Sequence, residues 1–346
     1  MYVLNVLLRM DGYTGSMTRV ASSQPTRSLF LSQLVDTFRI FKQNIKASYG
    51  REEILVHVWM GIVLLTALIC FALNALFFHF TTYPIYLSMI TVWPAVFFIW
   101  WLIGHTHRRH WPRFGLMATT FAQVGFAFII FVIAWAGFAD TPFVIIDYHL
   151  QQWDLLLGFN QIAFMNWVHQ FPALVNLLSF CYFTWQYQIV LAPLFLALLN
   201  RSQEINHYFI ASAISFICCL MIYYFFPTIA PPGIMHSPLF TQDQYDLVTR
   251  YYEVHESLPI SVFDGGIIAF PSGHVLFSTL VLFSLRKVKW AFYPMAVNNF
   301  FLIIGTMALG YHYLADVIAS LIIVTAVLTG MHYYFKDNQS RAIKNS

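Results

Sequence analysis

Long stretches of this chain are apolar on every side, without the alternation of a half-buried strand or the three-to-four spacing of a soluble amphipathic helix. Crossing a bilayer takes roughly 20 predominantly apolar residues as a helix. Eight runs approach that length, at about 54–78, 83–104, 116–138, 174–199, 208–226, 270–285, 291–311 and 314–335. The sixth is short, and the seventh runs almost into the eighth, which predicts a broken or tilted pair near residue 312. Pro94, Pro193 and Pro294 fall inside runs and predict kinks. The expected fold is all-α, a polytopic membrane helix bundle of about eight transmembrane helices.

Two further segments carry a different pattern. Over 28–48, Phe30, Leu31, Leu34, Phe38, Phe41 and Ile45 recur at helical spacing with Arg39, Lys42 and Lys46 between them. This predicts an amphipathic helix, lying on the inner membrane surface or packed on the bundle. Residues 139–173 mix Asp140, Asp147 and Asp154 with aromatics and leucines, and predict an interfacial re-entrant or surface segment.

Composition agrees with a membrane protein. Apolar residues make up 59% of the chain and charged residues 10%, against about 25% charged in a soluble domain. Cys70, Cys181, Cys218 and Cys219 all lie in apolar runs without ligand spacing, and read as small hydrophobes rather than disulfides or metal ligands. The opening MYVLNVLLRMDGYTGSM has no apolar core followed by a small-residue cleavage site, so no signal peptide is expected.

The position of each charge tests the helix map. With the N-terminus inside, 17 of the 18 Lys and Arg residues fall on the inner side, and Arg250 alone lies outside. The positive-inside rule accounts for that split. Both termini are then cytoplasmic. The division expected is a cytoplasmic N-terminal segment at 1–53, accessory transmembrane helices at 54–138, a membrane domain at 139–335 and a cytoplasmic tail at 336–346.

Two outer positions carry candidate chemistry. A long loop over 227–269 leads into Phe270-Pro271-Ser272-Gly273-His274. Proline suits the first turn of a helix, and a glycine there lets an anion approach backbone N–H groups aided by the helix dipole. An ordinary helix cap with an incidental histidine is the other reading of these residues. At the junction of the seventh and eighth runs, His312 and Asp316 are four residues apart and share one helical face. A carboxylate on one imidazole nitrogen fixes the tautomer and frees the other nitrogen to attack. A purely structural His–Asp bond is the alternative. The charge map brings both positions to the same side of the membrane, which favours catalysis.

The PSGH at 271–274, followed 38 residues later by the histidine of HYLAD at 312–316, resembles the type 2 phosphatidic acid phosphatase superfamily. Upstream, Phe226-Pro227-Thr228-Ile229-Ala230-Pro231-Pro232 is similar to the proline-rich segment of its inositol phosphorylceramide synthase branch. The resemblance implies that His312 is the nucleophile, forming a phosphohistidine, with Asp316 orienting it. His274 would protonate the departing alkoxide, and Ser272 and Gly273 would hold phosphoryl oxygens, in a catalytic core within 139–335. Pro231 and Pro232 would belong to the substrate-binding segment. The implied partners are a phospholipid, a lipid alcohol and the bilayer, with no cofactor, no metal and no nucleic acid.

Departures from the family pattern narrow the substrate. The superfamily's phosphatases carry Lys-x6-Arg-Pro and a Ser-Arg seven residues before the nucleophilic histidine. Here positions 305 and 306 are Gly305 and Thr306, and no Lys-x6-Arg-Pro occurs. A site short of fixed cations suits a singly charged phosphodiester better than a doubly charged monoester. That points to headgroup transfer between lipids, with a lipid phosphatase using water as the alternative.

Other residues stay open. Arg250 meets a phosphate, or pairs with Asp246 or Glu253. His236, His255 and Asp264 contact a polyol headgroup, or simply line a surface loop. Gln186, Gln188, Asn298 and Asn299 are expected to make interhelical hydrogen bonds, and the cluster His105, His107, Arg108, Arg109 and His110 to meet anionic lipid headgroups. A proton-relaying transporter and a metal hydrolase using His274, His312 and Asp316 are the competing classes.

Overall fold

The computed structural model of the chain describes residues 50–78, 87–256, 258–259, 261 and 268–344. The amphipathic helix expected over 28–48 and Asp264 lie outside these residues. The described elements are α1 (Arg51–Leu73, continued by a π-helical turn Asn74–Phe78), α2 (Leu87–His107), α3 (Pro112–Ala139), α4 (Asp147–Leu156), α5 (Gln161–Val168) and α6 (Pro172–Phe183). There follow α7 (Trp185–Leu198), α8 (Ser202–Phe225), a 3-10 turn at Pro231–Gly233, α9 (Gln242–His255), α10 (Gly273–Leu285), α11 (Lys289–Ala308) and α12 (Leu314–Lys344). No strand occurs among the described residues.

The helices are built for lipid. On α1, Val56, Met60, Val63, Ala67 and Cys70 are buried at three-to-four spacing, while Ile54, Val58, Ile62, Leu65 and Leu68 are exposed on the opposite side. A helix apolar on both its packed and its outer face belongs in a bilayer. The eight expected runs are largely helical where they are described, with breaks at Thr184, over 270–272 and over 309–311. Five helices, namely Arg51–Phe78, Pro112–Ala139, Ser202–Phe225, Lys289–Ala308 and Leu314–Asp337, have both the length and the apolarity to cross. Pro172–Phe183 and Trp185–Leu198, bent by 49°, make a sixth if counted as one broken span. Among the described residues there are thus five or six such spans where about eight were expected. The 13 residues of α10 reach only about 20 Å at 1.5 Å per residue, and α2 ends on the polar Gly104-His105-Thr106-His107.

Pro94, Pro193 and Pro294 all sit inside helices; the sharp bend comes instead at Thr184, between α6 and α7. The Thr184 hydroxyl donates to the Cys181 carbonyl at 2.6 Å and accepts from the Gln188 and Asn298 amides, each at 2.9 Å. Asn299 donates to the Ser278 carbonyl of α10 at 2.8 Å. Asn298 and Asn299 thus make the interhelical bonds expected of them, whereas Gln188 bonds one turn back along its own segment and Gln186 is exposed. All four cysteines are free thiols, three of them buried. At the centre, α10 packs on α7, α8, α11 and α12, with Val275, Leu276, Leu280 and Val281 fully buried.

The turn from α11 into α12 sets the position of His312. Gly310 takes φ 82, and the N–H groups of Tyr311 and His312 both return to the Thr306 carbonyl at 3.0 Å. This closes the last turn of α11 as left-handed glycines commonly do. A Cβ at Gly310 would lie 2.6 Å from Phe240 and 2.8 Å from Met165. Gly310→Ala is therefore expected to cost about 2 kcal/mol or more, from left-handed strain and overpacking. The thermal midpoint of detergent-purified protein should fall accordingly, and an unchanged midpoint would contradict this account of the turn.

Candidate active site

His312 lies in the short break before α12 and is almost fully buried, at 4% exposure. Its Nδ1 is 3.0 Å from the Ala269 carbonyl and 3.2 Å from Asp316 Oδ2. A carbonyl can only accept, so Nδ1 carries the hydrogen and the lone pair stands on Nε2. Burial pushes the His312 imidazole down to about 4, with the Ala269 carbonyl opposing that shift. The ring is thus neutral near pH 7, as a nucleophile requires. Asp316 Oδ2 also accepts the Tyr313 N–H at 2.9 Å, an acid three residues into a helix reaching back to the cap N–H.

His274 reaches the same point from α10, with Nδ1 3.2 Å from His312 Nε2. Since His312 Nε2 is the acceptor, His274 supplies the hydrogen. His274 stacks on Tyr182 at 4.4 Å between ring centroids and meets Trp185 at 4.5 Å in an edge contact. Tyr311 stacks on Tyr182 at 4.7 Å. The break at Thr184 is what places Tyr182 and Trp185, from two helices of different direction, against one imidazole.

Ser272 caps α10, its hydroxyl accepting the Val275 N–H at 3.4 Å. Its carbonyl accepts the Ser320 hydroxyl at 3.0 Å, and its N–H faces the Asp316 carbonyl at 3.5 Å. Ser272 thus ties α10 to α12. Gly273 differs, because a Cβ added there would meet nothing within 4 Å. That open space adjoins the first-turn N–H groups of α10, which have no acceptor within their own helix. The side of the α10 start at Gly273 is therefore open, next to His274.

Five hydrogen bonds tie the upstream segments to one another and to the residues around this pair. Thr228 accepts the Phe270 N–H at 2.9 Å, and the Ile229 N–H goes to Asp147 Oδ2 at 2.9 Å. Pro231 and Pro232 form the buried 3-10 turn just beyond. The Tyr313 hydroxyl bonds Asp147 Oδ1 at 3.1 Å. Asp154 accepts the N–H groups of Leu314 and Ala315 at 2.8 Å each. The segment expected to be interfacial therefore folds as α4 and α5, with Asp147 and Asp154 buried against the residues that follow His312. Burial pushes the Asp147 carboxyl up to about 7 and raises that of Asp154.

The sequence did not single out Ala269, Tyr182, Trp185, Asp147 or Asp154 for this pair. The one available signal was the seven-residue spacing of Asp140, Asp147 and Asp154, two helical turns apiece. Asp140, also buried, ends α3. Arg250 is 3% exposed with its guanidinium 5.3 Å from the Trp135 ring centroid. His236 is exposed, and His255 stacks on Tyr251 at 3.8 Å. In the cluster at 105–110, Arg108 turns inward to an ion pair with Glu53 and His105 is buried, while His107, Arg109 and His110 are exposed. Among the described residues no three His, Cys, Asp or Glu side chains are grouped to hold a metal ion. His274, His312 and Asp316 are instead linked in series.

A family model described as PAP2 superfamily, the type 2 phosphatidic acid phosphatases, matches residues 148–330. No curated protein and no solved structure matches the chain.

Proposed function

The chain belongs to the PAP2 superfamily and is an enzyme of the lipid phosphatase or phosphotransferase class, and on that premise we propose that it moves a phosphorylated headgroup from a phospholipid to a lipid alcohol. In the first step the His312 Nε2 lone pair attacks phosphorus and the bond to the diacylglycerol oxygen breaks. His274, entering the step as the imidazolium beside the phosphate anion, passes the proton on Nδ1 to that oxygen and becomes neutral, leaving the headgroup phosphate on His312 Nε2 as a phosphohistidine. In the second step an acceptor hydroxyl gives its proton back to His274, its oxygen attacks phosphorus, and the P–N bond breaks. The two nitrogens are 3.2 Å apart, so the rings must separate to admit the phosphoryl group.

The observation that carries this reading is the scarcity of positive charge. Among the described residues no Lys or Arg side chain stands beside either imidazole. The two positions where the family's phosphatases place Ser-Arg are Gly305 and Thr306. Electrostatic stabilisation is usually the largest catalytic contribution, and a site this poor in cations matches a phosphodiester with one negative charge. The Gly273 opening and the N–H groups of the α10 N-terminus serve such an anion without a fixed cation. Inositol as the headgroup rests on the resemblance of 226–232 to the inositol phosphorylceramide synthase branch. If all eight apolar runs cross the bilayer, the basic residues other than Arg250 gather on one side, which makes residues 1–53 and the tail from 336 cytoplasmic and turns the histidine pair to the other side.

The test is headgroup transfer by purified protein in detergent, with phosphatidylinositol labelled in the headgroup and ceramide or diacylglycerol as acceptor. A new labelled lipid is the expected product. Release of label only as water-soluble phosphate ester or free phosphate would make water the acceptor and the enzyme a hydrolase.

A further inference from the structure

At the N-terminus of α12 the reacting groups meet backbone that its own helix cannot satisfy. The first N–H groups of any helix lack intrahelical acceptors, and here they are buried next to His312. Asp316 Oδ2 already serves two donors, His312 Nδ1 at 3.2 Å and the Tyr313 N–H at 2.9 Å. The next two N–H groups are taken from 160 residues away along the chain. Asp154, 2% exposed, accepts Leu314 N–H on Oδ2 and Ala315 N–H on Oδ1, each at 2.8 Å. Asp147, two turns earlier on α4 and fully buried, holds the Tyr313 hydroxyl at 3.1 Å and the Ile229 N–H at 2.9 Å. Three consecutive residues, Tyr313, Leu314 and Ala315, are thereby gripped by two carboxylates of one short helix.

We propose that Asp154, supported by Asp147, is a positioning residue that keeps the Asp316 carboxylate on His312. With Asp154 gone, Asp316, already on the Tyr313 N–H of the same turn, can turn to the freed Leu314 and Ala315 N–H groups. Turning toward them, it releases Nδ1, and His312 loses the orientation that aims Nε2 at phosphorus. The proposal rests on His312 being the nucleophile. A plain helix cap would contribute to stability alone, so the test has to separate rate from folding.

The experiment uses the full chain in detergent, with Asp154→Ala, Asp154→Asn and, as a control, Asn74→Ala. Asn74, buried in the π-helical turn after α1, donates to the Gly137 and Asp140 carbonyls at the end of α3 at 3.2 and 2.8 Å. Thermal midpoint, kcat, KM for phospholipid and the rate of phosphoenzyme formation are measured for each. Misplacement of a reacting group by about 1 Å costs about 100-fold. Asp154→Ala is expected to lose about that much in kcat and in phosphoenzyme formation rate, with KM near wild type. Asp154→Asn, which keeps one acceptor oxygen and the side-chain volume, should fall between it and wild type. Asn74→Ala should lower the midpoint and leave kcat in place. Wild-type kcat in Asp154→Ala, or a loss matched by Asn74→Ala at a similar midpoint, would overturn the proposal. Where the alanine variant does not fold, the asparagine variant decides by the same criteria. Retained transfer in His312→Ala would instead remove the premise, and is read separately from either outcome at Asp154.

Discussion

His312→Ala is expected to abolish headgroup transfer, with a loss of roughly 10⁴-fold or more, the scale seen when a covalent nucleophile is deleted. The expectation follows from the bonding around one ring. The Ala269 carbonyl, at 3.0 Å, holds the hydrogen on Nδ1, and Asp316 Oδ2 stands at 3.2 Å from the same nitrogen. The Nε2 lone pair is left free to attack at the junction of α10 and α12. No neighbour can take its place, because His274 presents a hydrogen rather than a lone pair to that point. The protein should still fold, since the space at His312 is small and the α11–α12 turn is closed by backbone bonds to Thr306. Two readouts check the prediction. Labelled lipid product should vanish, and so should the acid-labile, alkali-stable phosphoenzyme formed from labelled donor in the wild type. Transfer at an undiminished rate in His312→Ala would defeat the whole mechanism.

The second large effect is expected at His274, and its size should depend on the leaving group. A general acid contributes about 10²- to 10⁴-fold, and it matters most where the departing oxygen is a poor leaving group. With a natural phospholipid the leaving group is an aliphatic alkoxide, so His274→Ala should lose activity within that range. With a p-nitrophenyl phosphodiester, whose phenolate departs without a proton, the loss in phosphoenzyme formation should be much smaller. Turnover would still be slowed, because the second step needs a base for the acceptor hydroxyl. An equal loss with both donors would assign His274 to binding rather than proton transfer. The stacking of His274 on Tyr182 and its edge contact with Trp185 argue that the ring is held by packing, so its removal leaves His312 and Asp316 in place.

Particular residues show how far the sequence could be read. The spacing of His312 and Asp316 was enough to pair them, because residues four apart on a helix are neighbours. Their bond starts from the last residues before α12 and ends in its first turn. Pro271, Ser272 and Gly273 pointed to a helix start, and α10 begins at Gly273 with Ser272 as its cap. Ser272, read through the family resemblance as a phosphate ligand, also caps α10 with its hydroxyl and ties it to α12 through its N–H and carbonyl. Gly273 is the member of the pair with open space beside it. Asp147 and Asp154 looked like charges of an interfacial segment, and their buried backbone partners lie 82 to 161 residues away along the chain.

What the sequence determined by itself was local or additive. Apolar runs of sufficient length become helices in lipid because every backbone group must be satisfied within its own segment, and those helices form where expected. Motif spacing within one or two turns set the His312–Asp316 pair and the α10 cap. The tertiary structure alone decided that His274 Nδ1 comes within 3.2 Å of His312 Nε2. It also decided that Ala269 holds the tautomer, that a bend at Thr184 rather than Pro193 aims Tyr182 and Trp185, and that α4 grips the start of α12. Each of these joins groups dozens of residues or more apart or depends on which helix packs against which. Packing and buried hydrogen-bond satisfaction settle such choices, and neither is written in any single stretch of sequence.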